Sequence, residues 1–571
     1  MCGIFALLNY SKYHHNKVEI MKLFMKGKLR GPENTQLIKV VMKVVESYIG
    51  FHRLAINGYN DDTSNQPFHI GHVYLICNGE IYNYKQLYNI LNIKPKSKSD
   101  CEVIIHMYNK YGIEQTLQML DGVFAFILLD TNKNKVFAAR DTYGVRPLYV
   151  NTLTHVGIDN TLFESYAFAS EIKCLCFDDV NQNIKQFEPG CLSIFNYNEV
   201  LGIRYINTIP FSTPNSFCNI SQKLKYNDIL KNIFDNIENA VIKRVNNTDR
   251  EIACLLSGGL DSSIICALVK KHYKGDLHTW SIGFEGSEDL KYAQEVANHI
   301  GSIHHPIEVS EQEFLDNIPN VIEAIESYDT TTVRASVGNW LICKYIKENS
   351  NAKVIFNGDG ADEVMGGYLY FHAAPDCIEF DKDCRKLLSH IHFFDVLRSD
   401  RSISSHGLEA RTPFLDRKFV QYYLSIDPTR RHHSYWNKPE KYLMREAVEK
   451  YENTLLPRSV LYRTKEAFSD GVSKQTKSWF ETIQEHVENS IYIHLKNLSN
   501  KEIMAKYNPY LYNTPKTLEQ LYYRDIFEEK FKNNSASKIL PYFWMPNFVN
   551  ATDASARTLN IYNKQNKKIA Q

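Results

Sequence analysis

A thiol at position 2 can do chemistry without help from another side chain. Once Met1 is removed, Cys2 carries a nucleophilic sulfur and, in its own α-amino group, a base. In model peptides the amine titrates near about 7.7–8 and the thiol near about 8.5, so part of the amine is free to accept a proton at neutral pH. A second chemistry is written in Leu255-Leu256-Ser257-Gly258-Gly259-Leu260-Asp261-Ser262-Ser263, which follows an apolar run and opens a helical pattern carrying Ile264, Ile265 and Leu268. The two glycines let backbone N–H groups approach an anion, and Ser257, Ser262 and Ser263 add hydroxyl donors. The start of the helix adds a favourable field of roughly 0.3–1 kcal/mol. This is a phosphate-binding turn, and it lacks the Gly-Lys-Ser/Thr ending of a Walker loop. Alone, a cysteine is more often core filler and a Gly-Gly pair an ordinary turn, so each needs the support of its surroundings.

Two kinds of segment must position these residues. Up to about Tyr205 short β-rich runs such as Val73–Cys77, Val123–Leu129 and Lys135–Ala139 alternate with Gly and Asn, which predicts a sheet-rich first domain over residues 2–206. Residues 207–221 are rich in Pro, Thr, Ser and Asn and read as a linker. Ile229, Leu230, Ile233, Phe234, Ile237, Ala240 and Val241 then recur at helical spacing and open a second domain, 222–561. There the apolar runs Ile252–Leu256, Thr279–Phe284 and Val354–Phe356 alternate with helical segments, as in a parallel sheet covered by helices. Residues 562–571 are polar, basic and aperiodic and read as a flexible tail.

Composition narrows the partners. A chain of 571 residues exceeds what one core usually serves, and 66 Lys+Arg against 65 Asp+Glu leave a formal charge of +1. That balance gives no reason to expect nucleic acid or an anionic membrane, and favours small-molecule substrates. No apolar run is long enough for a signal-peptide core or a membrane span, so a soluble cytoplasmic protein is expected. The twelve cysteines form no regular framework.

The company of Cys2 is specific: Cys2-Gly3-Ile4-Phe5, Arg53-Leu54-Ala55-Ile56, Gln66-Pro67, Asn78-Gly79-Glu80-Ile81-Tyr82-Asn83, Ser99-Asp100-Cys101-Glu102-Val103, Asp121-Gly122-Val123-Phe124 and Phe168-Ala169-Ser170-Glu171. Together these resemble the class II glutamine amidotransferases, which implies an α+β N-terminal-nucleophile hydrolase sandwich (αββα). The resemblance implies an oxyanion hole from the Asn78 side chain and the Gly79 N–H, and glutamine binding by Arg53, Asn78, Gly79, Glu80 and Asp100. Chemically, Arg53 suits the carboxylate of a free amino acid and Asp100 its ammonium.

The serine-glycine turn resembles the motif of the α/β parallel-sheet ATP pyrophosphatases, which cleave between the α and β phosphates. Further strings follow in order: Glu326-Ser327-Tyr328-Asp329, Asn357-Gly358-Asp359-Gly360-Ala361-Asp362-Glu363, Gly407-Leu408-Glu409-Ala410-Arg411 and Lys465-Glu466-Ala467-Phe468-Ser469-Asp470-Gly471. Across both domains the chain is similar to the glutamine-hydrolysing asparagine synthetases. The resemblance implies that ATP activates aspartate as an aspartyl-adenylate and that ammonia from glutamine displaces AMP. It implies nucleotide binding by Leu256, Ser257, Gly258, Gly259, Asp261, Ser262, Ser263, Ile282, Asn357 and Gly358. Asp261 and Asp362 are the expected Mg²⁺ ligands, and Lys465 the expected neutraliser of the transferring phosphate. A homodimer is left open.

One string departs from the family, whose members usually read Ser-Gly-Glu-Gly-Ser-Asp-Glu where this chain has Asp359 in place of the glutamate that assists the adenylate. The charge stays and the side chain is shorter by one bond, about 1.5 Å. Two other readings use the same residues: an enzyme adenylating a different carboxylate, as the related β-lactam synthetases do, and a catalytically silent amino-acid sensor. The presence of Cys2 counts against the first, and Cys2, Asp261 and Lys465 together count against the second.

Overall fold

The structure is a computed structural model that describes residues 1–10, 16–156, 162–178, 181–213, 224–465, 471–473, 477–493, 498–532, 535–555 and 558–559. Twelve strands fill the first domain: β1 Gly3–Tyr10, β2 Asn34–Met42, β3 Val45–Arg53, β4 Phe68–Ile70, β5 Val73–Ile81, β6 Gly122–Asp130, β7 Lys135–Arg140, β8 Tyr149–Val156, β9 Leu162–Ala169, β10 Asn181–Gln186, β11 Cys191–Asn198 and β12 Gly202–Pro210. They form two six-stranded antiparallel sheets, ordered β10-β8-β9-β1-β3-β2 and β12-β11-β7-β6-β5-β4. Strand β1 is apolar on both faces because both are covered. Ile4, Ala6 and Leu8 face the second sheet, meeting Ile76, Ile127 and Leu129, while Phe5 and Leu7 pack against Leu23 and Phe24 of the helix Lys17–Met25. The helices Tyr84–Leu91 and Val103–Met119 cover the outer face of the second sheet through Leu87, Ile104 and Met107. This is the expected αββα sandwich, with Cys2 at the head of a central strand.

The second domain is built on five parallel strands, β13 Ile252–Leu255, β14 His278–Gly283, β15 Ile303–Glu308, β16 Val354–Phe356 and β17 Glu409–Arg411, ordered β15-β14-β13-β16-β17. The chain winds outward from β13 to β15 and then returns to the other side of β13, so the strand order reverses between β13 and β16. Ligands of open parallel sheets sit at such a reversal, beyond the carboxyl ends of the strands. The helix Tyr226–Val245 that opens this domain buries Ile229, Leu230, Ile233, Phe234, Ile237, Ala240 and Val241, every position of the periodic set.

Residues 207–210, expected in the linker, continue β12 and pair with β11 as far as Pro210 opposite Cys191. Residues 214–221 of that linker, the tail 562–571 and the run Glu466–Asp470 lie outside the described residues. The two domains share their interior: Met1, Phe5, Tyr149 and Ile172 belong to the same apolar cluster as Trp280, Phe394 and Leu408. Buried ion pairs cross the same boundary, Arg30 to Asp400 at 2.7 Å, Arg401 to Glu171 at 3.2 Å and Arg411 to Glu80 at 3.2 Å.

Candidate active sites

The end of β3 faces the nucleophile. Leu54, next after the strand, donates its N–H to the Cys2 sulfur at 3.4 Å. Met1 is fully buried, its ammonium donating to the Leu408 carbonyl at 2.7 Å and its sulfur accepting from Arg146 at 2.8 Å. Met1 therefore occupies the space between the Cys2 α-nitrogen and the second domain. With it in place burial pushes the Cys2 thiol up to about 11, against the nearby ammonium and the Leu54 N–H.

Asn78 and Gly79 lie in β5, opposite Ala125 and Phe124 of β6. Gly79 is required by close approach: a Cβ there would sit 2.6 Å from the Val123 carbonyl oxygen. The Asn78 amide nitrogen is buried with no partner among the described residues, the state of a donor that awaits an oxyanion. Asp100 is buried, accepts the Ile81 N–H at 2.6 Å, and is raised by burial to about 6.

Two expected glutamine ligands are engaged otherwise. The four Nη hydrogens of Arg53 go to the carbonyls of Asn57, Gly58 and Asp61 and to the Asn65 side chain. A glutamine carboxylate must displace one of these or approach Nε, because the loop after β3 folds back over the guanidinium. Glu80 accepts on one carboxylate oxygen from Asn57 at 3.0 Å and from Asn247 and Arg411 of the second domain at 2.7 and 3.2 Å. Its side chain is thus committed to the domain boundary.

A cavity of about 190 Å³ opens at the reversal point of the parallel sheet. Leu256, Ser257, Gly259, Asp261 and Ser262 after β13, Ile282 of β14, Asn357, Gly358, Asp359 and Asp362 after β16, and Lys465 all line it. Two expected residues do not. Ser263 is fully buried and its hydroxyl has no partner among the described residues; two residues beyond Asp261 on a helix, it lies about 200° around the axis, away from the cavity. Gly258 turns the loop at φ +70°, and a Cβ there would meet the main chain of Ala293 at 2.5 Å, so its part is to pack the loop against the helix Glu288–Ile300.

Asp261 and Asp362 converge from adjacent strand ends, and two lysines bridge them. Lys465 is 2.8 Å from Asp362 and 3.7 Å from Asp261, and Lys441 is 2.6 Å from Asp261 and 2.5 Å from Asp362. Burial alone would raise Asp362, but the two ammonium groups outweigh it and hold the carboxyl well below the usual range. Among the described residues Asp261 Oδ1 is buried without a hydrogen-bond partner, and no group of three or more His, Cys, Asp and Glu is arranged to hold a metal ion. Two carboxylates with an unspent oxygen fit Mg²⁺, which takes one or two protein carboxylates and completes its shell with phosphate and water.

Lys441 escaped the sequence reading. It sits in a run of mixed charges, Lys438-Pro439-Glu440-Lys441, that looks like solvated surface, yet Lys441 is only 2% exposed. Arg398 was also missed. It binds Asp359 at 2.9 Å and Asp395 at 2.7 Å, and the Tyr368 hydroxyl lies within hydrogen-bond distance of both Asp395 and Glu363. Burial, reinforced by Asp395, raises Glu363 well above the usual carboxyl range. The shorter reach of Asp359 is met by an arginine on the facing helix Asp395–Ser404.

Comparison with known proteins agrees with this geometry. Residues 1–201 match the glutamine amidotransferase domain family, and residues 232–389 and 379–547 match the asparagine synthase family. The chain is 40% identical over 579 residues to the asparagine synthetase (glutamine-hydrolyzing) of Gallus gallus, spanning 98% of this chain and 99% of that protein. It is 39% identical over 599 residues to the protein of the same name in Homo sapiens, with the same coverage. A thiol at the head of one sheet, a phosphate-binding turn at the reversal of another, and relatives matched nearly end to end place the chain in the glutamine-hydrolysing asparagine synthetase family.

Proposed function

We propose that the chain makes asparagine from aspartate with glutamine as nitrogen donor and ATP as the energy source, Cys2 releasing the ammonia and the cavity beyond β13 and β16 forming and consuming the adenylate. The observation that carries this reading is the seat of Met1. The residue whose removal frees the Cys2 amine lies against Leu408 and, through Arg146, Ala410 of the second domain. Its removal leaves space on the side of the thiol that faces the synthetase site, so ammonia is released toward its acceptor.

In the first half the Cys2 amine takes the thiol proton and the sulfur attacks the glutamine amide carbon; the C–N bond then breaks as ammonia leaves with the proton from that amine, and water hydrolyses the thioester to glutamate. The Asn78 amide and the Gly79 N–H receive the oxyanion, and Asp100 holds the substrate ammonium. In the second half the turn Ser257–Ser262 takes the phosphates and Ile282, Asn357 and Gly358 take the rest of the nucleotide. Asp261 and Asp362 would hold Mg²⁺, which when bound neutralises pyrophosphate charge. Lys441 and Lys465, freed from the aspartates they bridge, turn their ammonium groups to the phosphate oxygens. Asp359, paired with Arg398, faces the adenylate and accepts a proton from the incoming ammonia.

Purified protein given ATP, Mg²⁺, aspartate and glutamine should release pyrophosphate, AMP, glutamate and asparagine. Pyrophosphate without asparagine would point to another carboxylate, and no pyrophosphate with any amino acid would point to a sensor. A homodimer and a cytoplasmic location are compatible with the chain, whose described helices include none long and apolar enough to cross a membrane. Sedimentation of the purified protein tests the dimer.

A further inference from the structure

The glutamine pocket is walled partly by the other domain. Between the helix Tyr226–Val245 and β13, the segment Asn247–Arg250 lies along the loop Leu54–Tyr59, which connects the nucleophile to Arg53. The Asp249 N–H donates to the Ile56 carbonyl at 2.9 Å, and its carboxylate accepts the Gly58 N–H at 2.7 Å. Arg250 donates to the Ala55 carbonyl at 3.0 Å, pairs with Glu33 at 2.9 Å, and lies 3.9 Å from the centre of the Tyr59 ring. Glu33 in turn accepts the Ala55 N–H at 2.6 Å. The side chains of Leu54 and Ile56 complete the docking by packing in the same apolar cluster as Ile252 and Cys254 of β13.

The same loop does the work of the glutaminase site from its other edge. Leu54 gives its N–H to the Cys2 sulfur, and the carbonyls of Asn57 and Gly58 hold the Arg53 guanidinium. Gly58 has φ +65°, so its peptide can present N–H to Asp249 and C=O to Arg53 at once. A loop of six residues held at Ala55, Ile56 and Gly58 by a neighbouring domain has its shape set from outside its own sheet.

We propose that Asp249 and Arg250, residues of the synthetase domain, are positioning residues for glutamine: they hold the loop Leu54–Tyr59 in the conformation that fixes the Arg53 guanidinium, so that its Nε meets the glutamine carboxylate, and that presents the Leu54 N–H to the thiol. This rests on the reading of the first site as a glutaminase. The test uses the full-length chain and follows glutamate release against glutamine concentration, alongside asparagine synthesis from ammonium. Arg250→Ala should raise the glutamine KM by about tenfold and Asp249→Ala by less, since Asp249 is exposed, with kcat nearly unchanged and ammonium-dependent synthesis within about twofold of the parent. Asp249→Asn, whose side-chain oxygen still accepts from Gly58, should restore the parent KM. If Arg250→Ala does not fold, Arg250→Lys, which loses the ring stacking and keeps the charge, takes its place with a smaller rise in KM. A glutamine KM unchanged in both alanine variants, or a matching loss of ammonium-dependent synthesis, would overturn the proposal. A parent chain that releases no glutamate would instead overturn the glutaminase reading.

Discussion

In the glutaminase site the Asn78 amide has no partner among the described residues and Asp100 is met only by main-chain N–H groups such as that of Ile81, whereas in the synthetase site Asp261, Asp359 and Asp362 each already face a cation. The first site receives a small zwitterion with no net charge, so the Asn78 donor is left buried and open on β5, while Arg53 is held by the loop that follows its own strand. The second receives a highly charged nucleotide. Its carboxylates and ammonium groups neutralise one another until phosphate and metal exchange with them, which avoids leaving bare charge in a half-enclosed cavity. Pre-paired charge and waiting donors are two answers to the cost of burying polar groups.

The division is broken most sharply at Cys2. Cys2→Ala should lower glutamine-dependent synthesis by about 10³-fold or more while ammonium-dependent synthesis persists, measured as asparagine formed from each donor. Lys441→Met should act the other way, reducing synthesis from both donors by about 100-fold with glutamate release intact, because the bridge between Asp261 and Asp362 loses one of its two cations. A pH profile sharpens the contrast. Burial raises Asp100 to about 6, so its charged form exists above that pH and is lost below it. The kcat/KM for glutamine should therefore fall by about tenfold per unit as pH drops below 6, seen as an acid limb in glutamate release. Asp359→Glu should keep synthesis within about tenfold of the parent, since Arg398 can meet the longer carboxylate; a complete loss would show that the loop is tuned to aspartate. Ser263→Ala should leave the KM for ATP unchanged, a direct check that this hydroxyl stands apart from the phosphates.

Much of both sites was legible in the residues because their chemistry is local. Cys2 needs only its own amine, and the turn Ser257–Ser262 needs only a strand before it and a helix after it. The parallel sheet and the helix Tyr226–Val245 were legible through apolar period, which burial enforces directly. What escaped involved distance. Lys441 lies 180 residues from Asp261, and nothing in its run of charges distinguishes a buried lysine from a solvated one. Arg398, in the helix facing Asp359, and Glu80, drawn to Asn247 and Arg411 of the other domain, gain their roles only from packing. Ser263 was misjudged for the opposite reason: a string shows adjacency, while the helix turns adjacent residues to different faces.

The sequence by itself singled out Cys2 and the turn Ser257–Ser262 as candidates and determined the order of the domains and the kinds of sheet that carry them, because local chemistry and apolar period depend on near neighbours. Only the tertiary structure decided which charges face which. The partners of Asp261, Asp359, Glu80 and Gly58 come from segments remote in the chain, and an ion pair depends on separation in space, to which sequence spacing gives no guide.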